Sequence, residues 1–509
     1  MRRNERCERV AMQILNTNYP QNMLSGGLVN GQASFAGLRH AQTLSPAEVI
    51  QLISQSGLRG RSGVSRPAAD KWHLCAAQTT DGKLIVMNTV DGDPLLPAAA
   101  TLLAANPAGV IEGLLIAAHA VGAQQAIICV DGQNSGQKAS LEAILRDLTA
   151  KGVTGSVKFG LADVPAKYVT REDTALIAAL EGKPAMSGLV PPMPAAKGFQ
   201  GRPTLIHHAE TFAQVAALFR QAAAGETLQQ TKLYSIAGSV KNSGICELTL
   251  GVSAQTVLEL AGGLKEEETL KFIQVGGPNG FIFTGDELDI TLDYAAFEEK
   301  GRWLANTSIN VCDSKICIVD YVKKCEDFCE KASCGKCVMG REGTWQLREF
   351  VHDMTVGKSK NEDLDMVQEI SQGIHDGALC PVCQTAGAPL ASALERFAGE
   401  FEQHMKRRKC PTLVCNKYVT FHILPEKCTG CGECLPKCPV SAIAGDSGLI
   451  HVIDQDTCNT CGICETVCRP IADAVARAGL VKPQTPEEPI PVGTFKRKAG
   501  GLGGGLRRR

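Results

Sequence analysis

The chain has 509 residues, which at about 150 residues per domain sets an expectation of three or four domains. Its 52 Lys and Arg balance 53 Asp and Glu, so no net field favours nucleic acid or a charged membrane surface. The most apolar stretch, Val110 to Val130, is interrupted by Glu112, His119, Gln124 and Gln125 and falls short of the roughly 20 apolar residues a span requires, so no transmembrane helix is expected. More than half of the 22 cysteines fall after Cys312 in metal-ligand spacings, and the opening MRRNERCERV lacks the apolar core of a secretion signal. A reducing, cytoplasmic setting is expected.

In chain order, residues 1–45 show little periodicity. Ser45-Pro46 with Glu48 reads as a helix start, an N-cap followed by a first-turn proline, with the helix running to about Ser56. It feeds Gly57-Leu58-Arg59-Gly60-Arg61-Ser62-Gly63, a glycine-rich loop whose backbone N–H groups suit a phosphate and whose arginines match an anion; a solvated turn is the plain alternative. Lys83 to Asn88 reads as a strand, Ile111 to Val121 as a helix closed by Gly122, and Ala126 to Val130 as a buried strand. That order implies a parallel or mixed α/β sheet.

Leu233 to Val240 and Gly244 to Thr249 read as paired strands joined by Lys241-Asn242-Ser243, followed by a helix from Ser253 to Ala261, which together suggest a small β-grasp-like module. Beyond Val311 the pattern changes to helices carrying cysteines, including one from about Leu390 to Met405. His404, Cys410 and Cys415 lie close together, and with a fourth thiolate such as Cys329 they would form a Cys3His zinc site; buried apolar thiols are the alternative. Cys7, Cys75, Cys129, Cys246, Cys312 and Cys317 have no metal spacing and read as core thiols.

The most specific signal lies between Cys428 and Cys468. One spacing occurs twice: Cys428, Cys431, Cys434 and Cys438 before Pro439, then Cys458, Cys461, Cys464 and Cys468 before Arg469-Pro470. A cubane cluster takes three thiolates from one such turn and the fourth from the other copy. Cys428, Cys431, Cys434 and Cys468 would hold one [4Fe–4S] cluster; Cys458, Cys461, Cys464 and Cys438 would hold the other. Zinc knuckles or a disulfide framework are the rival readings. The segment resembles a bacterial two-cluster ferredoxin. The Pro-rich, then Gly-rich and basic residues after it read as a disordered tail.

Upstream, Gly57-Leu58-Arg59-Gly60-Arg61, Val110-Ile111-Glu112-Gly113, Asp173-Thr174-Ala175-Leu176, Pro191-Pro192-Met193-Pro194-Ala195, Ser333-Cys334-Gly335-Lys336-Cys337 and Arg341-Glu342-Gly343-Thr344 occur in one register. Together they resemble the NADH-binding, FMN-carrying subunit of respiratory complex I. With the ferredoxin segment added, the chain resembles still more the β subunit of electron-bifurcating [FeFe]-hydrogenases, over about residues 30–470. The resemblance implies an α/β architecture with a mixed-sheet flavin/NADH-binding-like body, a β-grasp module, a helical cluster-binding bundle and a C-terminal ferredoxin carrying two [4Fe–4S] clusters. The expected boundaries are an N-terminal segment 1–45, the FMN/NADH-binding-like domain 46–225 and the β-grasp domain 226–298. The iron–sulfur bundle 299–405, a linker with the candidate zinc site 406–424, the ferredoxin 425–475 and the tail 476–509 follow.

The chain departs from the family's pattern at its pocket. Where the flavin loop reads GRGGAGFP, this chain reads Gly60-Arg61-Ser62-Gly63-Val64-Ser65-Arg66-Pro67, adding side chains where the flavin ring packs on bare backbone. Lys71 and Trp72 match. The acidic segment appears as Asn88-Thr89-Val90-Asp91-Gly92-Asp93, GEETAL becomes Arg171-Glu172-Asp173-Thr174-Ala175-Leu176, the paired asparagines become His207-His208, and Met193 stands where an aromatic would stack on the nucleotide. The resemblance carries flavin and nicotinamide contacts onto Gly60, Arg61, Gly63, Lys71, Asn88, Asp91, Asp93, Glu172, Asp173, His207 and His208. Either the pocket is remodelled, with Arg66 and Arg171 as new anion partners, or it is degenerate and the body supports the clusters.

The middle cluster departs too. The family pattern CGxCxxC needs a third cysteine where this chain has Gly340; Cys334, Cys337 and Cys380 match, and Cys383 would complete a third [4Fe–4S] set. That paired spacing equally suits zinc. The function expected is an iron–sulfur electron-transfer subunit of a soluble NADH-dehydrogenase-like or hydrogenase-like complex, with FMN and NAD(P)H as further cofactors. A flavin-free wiring subunit is the alternative. No residue stands out as a proton-transfer catalyst. The resemblance implies as partners a thioredoxin-like [2Fe–2S] subunit and a larger catalytic subunit, with a free ferredoxin as a further candidate.

Overall fold

Ser45 opens the first long helix as its chemistry requires. Its hydroxyl accepts from the Glu48 amide, while the Glu48 carboxylate accepts from the Ser45 amide at 2.7 Å, and Pro46 fills the first turn. The computed structural model describes residues 13–16, 23–29, 32–61, 65–80, 82–266, 268–300, 303–304, 306–360 and 363–497. They fall into two compact units, one drawn from residues 13–314, 324–348 and 365–396, the other from residues 315–323, 349–364 and 397–497.

In the first unit, strands β1 (Leu84–Asn88), β2 (Gln125–Asp131), β3 (Lys158–Val164) and β4 (Thr204–His208) form a parallel sheet in the order β3-β2-β1-β4. Every residue of β1 and β4 is buried, as expected of parallel strands covered on both faces. The covering helices include α1 (Pro46–Gln55), α2 (Ala68–Ala76), α3 (Pro107–Val121), α4 (Asp173–Leu180) and α5 (Ala209–Ala224). Gly113 sets the approach of α3 to α5: a Cβ there would lie 1.8 Å from the Phe212 carbonyl oxygen. Beside it, the buried Glu112 carboxylate pairs with Arg220 at 2.8 Å and accepts from the Leu38 amide at 3.0 Å. The Val110-Ile111-Glu112-Gly113 motif therefore serves packing. The 105° bend between Ala98–Ala105 and α3, with α3 almost wholly buried, marks core helices; no single helix among the described residues is long and apolar enough to cross a membrane.

A second, mixed sheet is built from β5 (Thr231–Gly238), β6 (Gly244–Thr249), β7 (Leu270–Val275), β8 (Phe281–Thr284) and β9 (Ser308–Asp313), with α6 (Ala254–Leu260) packed on it. Its order is Gln13–Ile14, β6, β5, β9, β7, β8. The boundary expected at 298 is thus too early: β9 runs parallel to β5 and antiparallel to β7 at the centre of this sheet. The N-terminal segment likewise contributes an edge, Gln13 and Ile14 pairing with Gly244 and Ile245.

The helices that follow are α7 (Ile318–Ala332), which carries Cys325 and Cys329, a wide π turn over Met339–Gly343 leading into α8 (Thr344–Val356), α9 (Asp363–Gly377), the short α10 (Pro381–Gln384), which carries Cys383, and α11 (Ala388–Met405), which breaks at Phe397. In the ferredoxin segment, β10 (Thr420–Ile423), β11 (Ile443–Ala444), β12 (Leu449–Ile450), β13 (Val452–Ile453), β14 (Val475–Ala478) and β15 (Ile490–Pro491) form three short antiparallel pairs, β10 with β14, β11 with β13 and β12 with β15. The disorder expected from 476 therefore does not begin there, because β14 and β15 extend the domain; residues 498–509 lie outside the described residues.

Candidate functional site

At the C-terminal end of β4 lies a cavity of about 720 Å³, the size of a cofactor site. The loop after α1 borders it with Gly60, Arg61, Ser65 and Arg66; α2 contributes Lys71, the turn into α4 contributes Arg171, Glu172 and Asp173, and β4 ends at it with His207 and His208. Trp303, His375 and Gln384 close the far side, the first two stacked with ring centroids 5.8 Å apart. These last three had no signal in the sequence, since no spacing ties them to the glycine-rich loop.

Of the site residues expected from the resemblance, Gly60, Arg61, Lys71, Glu172, Asp173, His207 and His208 line this cavity, whereas Asn88, Asp91 and Asp93 do not. Asn88 donates to the Thr170 carbonyl at 2.8 Å and accepts from the Val90 amide at 2.9 Å. Asp91 caps the following helix through the Ala99 and Ala100 amides. Asp93 accepts from the Leu95 amide, from Asn306 and from the Ser308 hydroxyl. Their side chains hold the loop. Gly63 and Ser62 lie outside the described residues.

The lining side chains are also partly committed. The Arg61 guanidinium donates to the Tyr294 hydroxyl and the Thr231 carbonyl, each at 2.9 Å. Lys71 pairs with Asp173 at 2.5 Å. His207 accepts from the Trp72 indole at 2.9 Å, and burial together with Lys71 holds its pKa well below the usual imidazole value. His208 instead faces Asp91 at 3.4 Å, so the two neighbouring imidazoles serve different partners. Arg66 is exposed, with its guanidinium against the Met193 sulfur at 3.4 Å, and Arg171 lies over the Tyr168 ring.

In the same unit, Cys334, Cys337, Cys380 and Cys383 come from two loops. Cys380 caps α10 and Cys383 lies one turn on, both buried. Hydrogen bonding between them holds the Cys380 thiol below the usual thiol range and drives Cys383 up.

In the second unit, Cys428, Cys431, Cys434 and Cys468 line one small cavity with Ile423, His451 and Val475, so the first expected ferredoxin set converges. Backbone amides of Ala442, Thr460 and Ala474 point at the sulfurs of Cys438, Cys458 and Cys468 at 3.3–3.4 Å. Such N–H groups stabilise thiolates and tune cluster potentials. The same unit gathers Cys317, His404, Cys410 and Cys415, all buried, with ligand atoms within 4.8 Å of one another. Cys317 takes the place expected for Cys329, whose thiol lies instead beside Cys325 and Glu326; Cys317 is thus no ordinary core thiol. Its sulfur is 3.4 Å from His404 Nε2 and 3.7 Å from the Cys415 sulfur, against an edge of about 3.8 Å for tetrahedral Zn–S geometry. The other His404 nitrogen, Nδ1, is fixed by the Glu400 carbonyl at 2.8 Å. Burial would lower the His404 pKa, but hydrogen bonds with Cys317 and Cys410 raise it to about 10.

A cofactor-sized cavity above a parallel sheet, joined in one chain to thiol sets spaced for cubane clusters, defines an iron–sulfur oxidoreductase subunit. Residues 53–217 match the Nuo51 FMN-binding domain, 320–404 the NADH-ubiquinone oxidoreductase-F iron-sulfur binding region, and 421–444 a 4Fe-4S binding domain. The chain is 34% identical over 432 residues to the NADP-reducing hydrogenase subunit HndC of Solidesulfovibrio fructosivorans, covering 82% of this chain and 88% of that one. It is 31% identical over 391 residues to an NADH-quinone oxidoreductase subunit of Streptomyces coelicolor, covering 74% and 87%. Among solved structures, the NAD+-reducing [NiFe]-hydrogenase in the H2-reduced state superposes with a TM-score of 0.68 at 26% identity, covering 76% of this chain and 68% of that one. The chain belongs to the family of the Nuo51-type NADH-quinone oxidoreductase subunit and its hydrogenase counterparts. It is an oxidoreductase subunit with an FMN-binding domain and [4Fe–4S] domains, a composition suited to electron transfer between a flavin and nucleotide site and the clusters. Its relatives are subunits of multi-subunit assemblies.

Proposed function

We propose that the 720 Å³ cavity is where FMN and a nicotinamide nucleotide bind, in a pocket rebuilt relative to the family pattern. The observation that carries this reading is that seven of the expected contact residues, on four separate chain segments, line one space of cofactor size. A bound flavin supplies the conversion of a hydride's electron pair into single electrons. The chain's own part is positional. Backbone at Gly60 and the Lys71–Asp173 pair border the flavin side, Trp303 and His375 offer a stacked face to a planar ring, and the exposed Arg66 meets an anionic group.

The Cys317, His404, Cys410 and Cys415 set is proposed as a closed Cys3His zinc site that fixes the chain entering the ferredoxin. The two expected cysteine sets between Cys428 and Cys468 are proposed as the ligands of two [4Fe–4S] clusters, and the bundle thiols as those of a third. A thioredoxin-like [2Fe–2S] subunit and a larger catalytic subunit, in the cytoplasm, are the proposed partners and setting, supported by the membership of relatives in hydrogenase and quinone-reductase assemblies.

The test is anaerobic purification of the full chain, with flavin, iron and zinc counted on one sample before and after NADH or NADPH. Flavin near one per chain, bleached by the nucleotide, is the expected result. Full iron with no flavin and no response to either nucleotide would leave a pure electron conduit and overturn the reading of the cavity.

A further inference from the structure

We infer that the bundle cluster has exchanged a ligand: the Cys383 thiolate takes the corner that a third cysteine at position 340 would otherwise fill, converting a three-plus-one ligand set into a two-plus-two set. This rests on the proposal that the bundle carries a [4Fe–4S] cluster. The observation behind it is the space around Gly340. A Cβ there would lie 2.9 Å from the Cys383 sulfur, 3.0 Å from the Cys337 sulfur and 3.3 Å from the Ser333 hydroxyl. Position 340 therefore points into the thiol set, and its side-chain space is already taken by Cys383.

The glycine is not demanded by the backbone. Gly340 lies in the π turn Met339–Gly343 and is absent from the positive-φ glycines. Its amide donates to the Cys337 sulfur at 3.3 Å, and its carbonyl accepts from the hydroxyls of Thr344, at 2.9 Å, and Ser333. The turn is pinned in place with its missing side chain facing the sulfurs. Such π turns recur at functional sites because the extra residue re-aims a side chain. Here the re-aimed position is empty, and the nearest sulfur comes from α10. Cys380 and Cys383 stand at the cap and third position of that single turn, where the Cys383 amide donates to the Cys380 carbonyl at 3.1 Å. Two sulfurs thus come from each loop: Cys334 and Cys337 from one, Cys380 and Cys383 from the other.

The experiment compares the full chain with Cys383→Ala, Gly340→Cys and the double variant, all purified anaerobically, by iron count and by EPR of the reduced protein. The ferredoxin clusters serve as an internal control of folding. Cys383→Ala is expected to lose about one to four irons per chain and the reduced signal of one [4Fe–4S] cluster, with a [3Fe–4S] signal in the oxidised sample where a single iron is lost. Adding Gly340→Cys in that background is expected to return both iron and signal. Gly340→Cys alone is expected to add no iron. The inference is overturned by full iron and an unchanged third signal in Cys383→Ala, or by a double variant that stays depleted while its ferredoxin signals are intact. A parent chain with iron for the ferredoxin alone and a second zinc per chain would instead overturn the cluster reading on which the exchange rests.

Discussion

Arg66 stands where the family's flavin loop carries a phenylalanine, and its guanidinium is exposed at the rim of the cavity. If it meets a nucleotide phosphate, Arg66→Ala weakens nucleotide binding about tenfold, or about 1.4 kcal/mol, and more for NADPH than for NADH. Equilibrium titration of both nucleotides against the flavin-loaded chain checks this, and equal affinities in parent and variant would remove Arg66 from the site. His207 gives a second prediction. Its folded pKa is depressed, so the unfolded chain binds the extra proton first, and stability contributed by the neutral ring is lost as pH falls below about 6.5. Thermal unfolding of the flavin domain between about pH 7.5 and 5 is expected to show that loss, and His207→Gln, which keeps an acceptor for Trp72, is expected to flatten it. At this scale the sequence named the right neighbourhood more readily than the right roles. Asn88, Asp91 and Asp93 were legible as a polar cluster, yet the two carboxylates are consumed by local N–H and hydroxyl donors, and the Asn88 amide by the Thr170 carbonyl and the Val90 N–H. A one-dimensional motif does not distinguish a carboxylate facing a ligand from one capping a helix.

Among elements, the contact of α3 with α5 depends on a single absent methyl group. Gly113→Ala must move one helix off the Phe212 carbonyl, an overpacking cost of about 3 kcal/mol. A lowered melting temperature with unchanged ferredoxin EPR is the expected readout, because the disturbance lies in the first unit. Helices and strands with caps and long apolar runs were legible: α1 from Ser45 and Pro46, α3 from its apolar run and Gly122, and β1 and β2 from their buried runs. β9 was assigned to the wrong domain because it lies beyond α6 and the short helix Tyr294–Glu298, and only tertiary pairing returns it to the sheet centre. Cys317 was missed as a candidate ligand for a related reason. It lies far in sequence from His404, Cys410 and Cys415, just before α7, and no spacing rule spans that separation.

For the whole molecule, the metal inventory is the sharpest readout. His404→Ala is expected to remove zinc from the chain while leaving the iron of the ferredoxin clusters in place, since the Cys317, His404, Cys410 and Cys415 set shares no thiol with the sets between Cys428 and Cys468. Loss of iron in step with zinc would show that the four residues hold iron. Balanced charge and the lack of a long apolar helix among the described residues exclude little, and the assembly role comes instead from the family to which the chain belongs.

The pairing of β9 also bears on the order in which the protein is made. The β3-β2-β1-β4 sheet takes all its strands from residues 84–208, so it has every partner soon after α5 leaves the ribosome. The other sheet spans a far longer stretch of synthesis: its edge at Gln13–Ile14 is made about 300 residues before β9 at 308–313, for which β5 waits. Until then β6-β5 and β7-β8 are two separate hairpins with open edges. A nascent chain halted between β8 and β9 leaves the facing edges of β5 and β7 unpaired, and the arrival of six residues closes them.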